Sequence, residues 1–217
     1  MKRVARRTGF SLIELLVALA VFAAMAAAAY GGLAGIARAR GALAERQDRF
    51  AAAVRAVSMI ERDLRQAVSR SVRGGERGEL LPALSGAADR FELTWLGFAN
   101  PRAEPRSNLE RVGYSVDGKS LQRSRYPVLD RAPATVPAVT APLDRVERFT
   151  LRYLGTDGRW SDTWPVGETS PGTDASTMDH LPRAVEFRID LADLGSLRRV
   201  VELPSAIPVK AVEAPLP

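Results

Sequence analysis

No cysteine occurs among the 217 residues, and there is a single histidine, His180. The first absence excludes thiolate metal sites, thiol catalysis and a disulfide scaffold, though it does not fix the compartment. The second leaves His180 as the one imidazole base for serine chemistry. It sits in a loop-like stretch next to Leu181-Pro182 and reads as a solvated loop residue. No phosphate-cradling glycine loop, zinc-ligand spacing or dinucleotide fingerprint is found. Proline is missing before Pro82, and charge is nearly missing from residues 10 to 36, where Glu14 stands alone.

Carboxylates are plentiful but scattered without the motif that would single out a catalytic pair. Asp157, Asp162, Asp174 and Asp179 fall in or beside loops, where Ca²⁺ could bind, but the twelve-residue calcium-loop pattern is absent and no metal is assigned. Trp95, Trp160 and Trp164 could form a binding face or close a small sheet core. The formal net charge is +6. Four of the basic residues (Lys2, Arg3, Arg6 and Arg7) lie in the first nine positions, and without them 27 basic residues face 25 acidic ones. No basic stripe interleaved with aromatics remains, so nucleic acid is not a partner.

What is present is one long apolar run. From Leu15 to Ile36 there are 22 uncharged residues, about 33 Å as a helix and enough to cross a bilayer. Glu14 at its head is costly, about 2.5 kcal/mol or more near mid-bilayer, and such an acid is by default a functional candidate. The simpler alternative is an acid in the first helical turn that complements the macrodipole. Three readings of this end compete: a cleaved secretory signal with small residues around Ala23 to Ala29, a twin-arginine signal at Arg6-Arg7, and a retained anchor. The carboxylate and the length of the run favour the anchor, with the basic leader cytoplasmic and the rest of the chain across the membrane. Ala23, Ala27, Gly31 and Gly35 fall four apart on one face, a small-residue stripe that permits close helix packing or arises by chance in an alanine-rich helix. Gly31-Gly32 lowers helix propensity locally and marks a place for a bend.

Beyond Ile36 the chain turns polar but keeps a helical period. Phe50, Val54, Val57, Ile60, Leu64 and Val68 recur at spacings of three and four, and Gly74-Gly75 is a natural stop. One helix from about Phe10 to Arg70 is predicted, with an apolar stripe on its outer half that a sheet of the same chain must cover. From Arg90 the period becomes two. Phe91 to Trp95, Arg111 to Val116, Leu121 to Tyr126, Val146 to Leu154, Ala184 to Leu191 and Leu197 to Leu203 read as strands, with turns at Asp117-Gly118, Asp157-Gly158 and Asp193-Leu194-Gly195. Residues 98 to 107, the proline-rich 127 to 142 and the polar 165 to 182 read as loops or extended connectors. The predicted fold class is α+β, a long N-terminal helix packed on antiparallel sheet.

The head of the run, Gly9-Phe10-Ser11-Leu12-Ile13-Glu14, resembles the processing motif of type IV pilins and of the pseudopilins of type II secretion. Five further segments are similar to the J family of minor pseudopilins: Arg62 to Val68, Trp95-Leu96-Gly97, Tyr126 to Leu129, Leu151-Arg152-Tyr153 with Asp157 to Trp160, and Leu181 to Glu186. The resemblance implies a structural subunit rather than an enzyme, without cofactor, divided into a prepilin leader (1–9), a transmembrane and assembly helix (10–36), the periplasmic half of the helix (37–73), an antiparallel β domain (74–204) and a loosely ordered tail (205–217). It implies that a prepilin peptidase cuts between Gly9 and Phe10 and methylates Phe10, and that Glu14 sets the register between subunits by pairing with a neighbour's Phe10 amine. Implied partners are the minor pseudopilins I and K, with H nearby, the major pseudopilin, inner-membrane lipid, and the secretin or secreted cargo. Implied placement is a single pass of the bacterial inner membrane with a periplasmic C-terminal domain, in a filament-tip complex that starts assembly. Two alternatives stay open: a minor pilin of a type IV pilus, and a signal-anchored periplasmic binding or enzymatic domain.

Overall fold

The computed structural model describes residues 9–74, 78–97, 107–166 and 178–204. They form one helix, α1 (Leu12–Arg65), and eleven strands: β1 (Val72–Gly74), β2 (Glu79–Leu81), β3 (Leu84–Gly86), β4 (Phe91–Leu96), β5 (Leu109–Asp117), β6 (Ser120–Tyr126), β7 (Ala138–Leu143), β8 (Val146–Leu154), β9 (Trp160–Ser161), β10 (Ala184–Leu191) and β11 (Gly195–Glu202). The chain divides into two compact units, Met1–Phe50 and Ala51–Pro217, with α1 running through the boundary.

In the first unit the chain is helical from Leu12 onward, and none of its described residues is buried. The helix has the length and apolarity of a membrane span, with a mean hydropathy of 2.4 over its best window. Gly31 and Gly32 lie inside it without a break. An α-helix satisfies every interior backbone group within the segment, and in so apolar a run that outweighs the low propensity of two glycines.

The second unit packs the outer part of α1 on two antiparallel sheets. One has five strands in the order β3-β4-β5-β6-β7, the other four in the order β11-β10-β8-β9, and β1-β2 is a separate hairpin. Period-two alternation sends Phe91, Leu93, Val112, Tyr114 and Leu121 to the inner face of the larger sheet, and Phe149, Leu151, Tyr153, Val185, Phe187 and Ile189 to that of the smaller one, all of them buried. The two faces share one core. Phe91 stacks on Tyr114 at 5.1 Å and lies 6.5 Å from Phe149 of the other sheet. The hairpin turns follow the Asp-Gly dipeptides, with Gly118 at φ 58°. Gly86 pairs with Trp164 across the sheets, and a Cβ at Gly86 would overlap the Tyr153 hydroxyl, which donates to the Ala87 carbonyl at 2.9 Å.

Several sequence expectations are corrected here. The helix ends at Arg65, not Arg70, because the large sheet captures the chain: Ala67 bridges Trp95, and the Val68 amide donates to the Thr94 carbonyl at 2.9 Å. Gly74 belongs to a strand rather than to a helix stop. The buried face of α1 is Ala53, Ala56, Val57, Ile60, Asp63 and Leu64, whereas Phe50 and Val54 are 57% and 46% exposed. Val57, Ile60 and Leu64 are buried as the periodicity predicts, and at the start of the packed segment Ala53 and Ala56 take the inward positions, where a small side chain lets the helix approach the sheet closely. Residues 138–143, read as connector, form edge strand β7, where prolines are tolerated because the outward amides have no ladder partner. Met178 and Leu181, assigned to a surface loop, are buried. The loop readings at 98–106 and 167–177, and the tail at 205–217, lie outside the described residues.

Candidate functional site

At the N-terminal end, Phe10 is 89% exposed and nothing lies within 4 Å of a Cβ placed on Gly9. α1 begins at Leu12 with a capping box. The Ser11 amide donates to Glu14 Oε2 at 3.1 Å, and the Glu14 amide donates to Ser11 Oγ at 3.3 Å. Ser-x-x-Glu at a helix start satisfies two of the four orphan amides reciprocally. The Ser-x-x-Glu spacing that signals it is contiguous in the sequence, at Ser11 and Glu14. Ala23, Ala27 and Gly31 are exposed and Gly35 is half-buried, with open space beside each glycine of the stripe.

At the other end, α1 is tied to the large sheet by a buried polar cluster. Asp63 is fully buried, as are Ile60 and Leu64 of the same helix. Its Oδ2 accepts from the Tyr114 hydroxyl at 2.5 Å and from Arg123 Nε at 2.8 Å, and Arg123 Nη2 lies 2.8 Å away. Arg123 Nε also donates to the Tyr114 hydroxyl oxygen at 2.9 Å. Burial pushes the Tyr114 phenol well above its ordinary value, and the Asp63 charge pushes it further. Such a charge is tolerable inside only when paired and hydrogen-bonded. The cluster was not legible in the sequence because Asp63 stands 51 residues from Tyr114 and 60 from Arg123. Only the β5-β6 register, which sets Tyr114 opposite Arg123, places the two side chains together.

Two more arginines are neutralised in the same sheet. Arg111, fully buried on the opposite face, donates to Glu92 at 2.7 Å and to the Pro82 carbonyl at 2.6 Å. Arg125 forms a two-point pair with Glu110 at 2.8 and 3.0 Å.

The residues weighed for other chemistry are dispersed. His180 is used through its backbone carbonyl, which accepts from the Trp164 indole at 3.3 Å. Asp157 caps its own turn at Arg159, Asp179 accepts from the Ser71 amide at 2.6 Å, Asp162 is exposed, and Asp174 lies outside the described residues. The three tryptophans do not share a face. Trp95 is buried under α1, Trp160 lies beneath the Arg152 guanidinium at 5.5 Å, and Trp164 packs at the seam between the sheets.

Comparison with known proteins agrees with this architecture. Residues 31–203 match the family model for type II secretion system (T2SS), protein J, and residues 4–30 match that for the prokaryotic N-terminal methylation motif. The chain is 30% identical over 200 residues to the type II secretion system protein J of Klebsiella pneumoniae, covering 90% of this chain and 94% of that protein. It is 31% identical over 202 residues to that of Escherichia coli, covering 89% and 94%. In structure it resembles a chain of the GspK-GspI-GspJ complex from the enterotoxigenic Escherichia coli type 2 secretion system, with a TM-score of 0.59 and 26% identity over 71% of this chain and 96% of that one. The chain therefore belongs to the type II secretion system protein J family, the J-type minor pseudopilins.

Proposed function

We propose that this chain is a structural subunit of a pseudopilus tip complex and that its work is assembly rather than catalysis. The observation that carries the reading is the joining of two features in one chain: a methylation motif at the head of an apolar helix, and an outer domain built like a chain crystallised with GspK and GspI. A prepilin peptidase cuts between Gly9 and Phe10 and methylates the new N-terminus. Residues 10–36 anchor the protein in the inner membrane, with the leader cytoplasmic and the β domain periplasmic. The stripe Ala23, Ala27, Gly31 and Gly35 packs against neighbouring helices. Minor pseudopilins I and K, with H nearby, complete the tip complex that starts the filament, and the major pseudopilin, secretin and cargo are met from there.

Glu14 locks the register. In the assembled state its carboxylate leaves the Ser11 amide and pairs with the Phe10 amine of a neighbour, so that neither charge is left alone in a low-dielectric layer. The capping box permits a clean test, because glutamine caps a helix at this position as glutamate does but carries no charge. Glu14→Gln should insert normally and fail to co-assemble with sibling subunits in a cross-linking assay, as Glu14→Ala should. Normal co-assembly of Glu14→Gln would reduce Glu14 to a cap. Mass spectrometry of the mature protein should find N-methylated Phe10 as the first residue.

A further inference from the structure

Where α1 ends against the large sheet there is a cavity of about 490 Å³ lined by Arg62, Gln66, Trp95, Arg123 and Arg125. Its charge is arranged by depth. The carboxylates that balance it are behind: the Asp63 side chain is fully buried and that of Glu110 is 2% exposed. The guanidinium groups are in front, with Arg62 56% exposed and Arg125 39% exposed. A solvent-borne ion therefore meets cations, although the pairs beneath are nearly balanced. The Arg62 and Arg123 guanidinium carbons stand 6.0 and 5.2 Å from the centre of the Trp95 ring, which fixes both groups at the cavity. Arg62 Nε is 3.6 Å from Asp63 Oδ1, an ion pair beyond hydrogen-bond reach, and Arg62 lines the cavity with its side chain 56% exposed. A side chain at Gly97 would overlap Glu110 and Trp95, so glycine keeps this wall open.

We propose that this cavity is a docking site for an acidic side chain, Asp or Glu, presented by a sibling subunit of the tip complex. The inference rests on the tip-complex reading above. A planar carboxylate matches the guanidinium fork, and arginine is the residue suited to such two-point recognition at interfaces. Leu96, 53% exposed on the rim, adds the apolar contact that a protein surface can meet. Arg62 makes the first contact, with the Glu110-paired Arg125 beside it and the buried Arg123 behind setting the field.

The test is binding of the full chain in detergent micelles to I-type and K-type siblings from the same cell, at low and high salt, with Arg62→Glu, Arg62→Lys and Gln66→Glu. Gln66 is exposed and takes no part in the Asp63 cluster, so the melting temperature of Gln66→Glu should hold, and it serves as the second probe if Arg62→Glu, which sets a carboxylate beside Asp63, loosens the cluster. Arg62→Glu should weaken one sibling about tenfold, the scale of a surface charge contact, and Arg62→Lys should weaken it less. The difference should shrink from about 0.1 M to about 1 M salt, as the Debye length falls from about 10 to about 3 Å. An Asp→Arg or Glu→Arg change on the sibling should restore binding to Arg62→Glu. Wild-type affinity of both Arg62→Glu and Gln66→Glu for both siblings would overturn the docking site and leave the tip-complex reading standing. If the wild-type chain binds neither sibling, both are overturned.

Discussion

Asp63 is the residue on which the helix-to-sheet joint depends. Replacing it with alanine leaves the Arg123 guanidinium and the Tyr114 hydroxyl buried beside an empty space. The cost should be about 3–5 kcal/mol, the scale for breaking one side of a buried ion pair, measurable as a lower denaturant midpoint. Tyr114→Phe removes one hydrogen bond and should cost about 1 kcal/mol. The tyrosines also give a pH signature. Burial first, then the charges of Asp63 and Asp89, push the phenols of Tyr114 and Tyr153 above the usual value. An unfolded tyrosine loses its proton near pH 10, while these two keep theirs when folded. Their contribution to stability is therefore intact below about pH 10 and is lost as pH rises above it, because the unfolded chain gains a charge that the folded one resists. In melts between about pH 9 and pH 11 the gap between wild type and Tyr114→Phe should narrow, and parallel curves would remove Tyr114 as a source of the alkaline loss. The processing motif and Glu14 are legible in sequence because they are contiguous. The Asp63 cluster is not, because three ordinary residues from a helix and two strands meet only through β5-β6 pairing.

At the scale of elements, what decides α1 is which face it buries. Hydrophobic periodicity predicted Val54 inside, whereas the structure places Ala53 and Ala56 there and leaves Val54 outside. The two versions differ by experiment. Leu64→Ala should cost about 3 kcal/mol as a fully buried leucine truncated to a cavity. Val54→Asp should change stability by no more than about 0.5 kcal/mol, as exposed substitutions do, but would be severe if Val54 faced the core. Periodicity ranks residues by hydrophobicity and places Val57, Ile60 and Leu64 correctly, while close approach of the helix to the sheet favours Ala53 and Ala56 over Val54 at its start. The same limit explains the strands. β4, β5, β6, β8, β10 and β11 carry clear alternation and Asp-Gly or Gly turns, so they were legible. β7 was hidden by Pro137 and Pro142, which an edge strand accepts, and β1, β2 and β3 are three residues each, too short to show a period.

For the whole molecule, the sequence and the packing set the main boundary at different places. Composition changes after Ile36, where the apolar run ends, and a second change at Gly74-Gly75 suggests that the helix stops there. Packing begins later than the first and ignores the second. The earliest buried residue among those described is Ala53, and the compact outer unit starts at Ala51. Every buried residue among those described, including Ala53, Ala56, Ile60, Asp63 and Leu64 of α1, is C-terminal to that point. A chain of residues 38–217 should consequently be soluble without detergent and melt at the same temperature as the full chain, since the described residues it loses, 9–37, include no buried one. A chain of residues 58–217 loses Ala53, Ala56 and Val57 from beneath the sheets and should melt lower, because the helix would then cover the shared core with Ile60 and Leu64 alone. Differential scanning calorimetry of the three chains checks this. Equal melting of 58–217 and 38–217 would show that the first buried turns of α1 add nothing to the domain. A lower midpoint for 38–217 than for the full chain would place part of the folding core before Arg38.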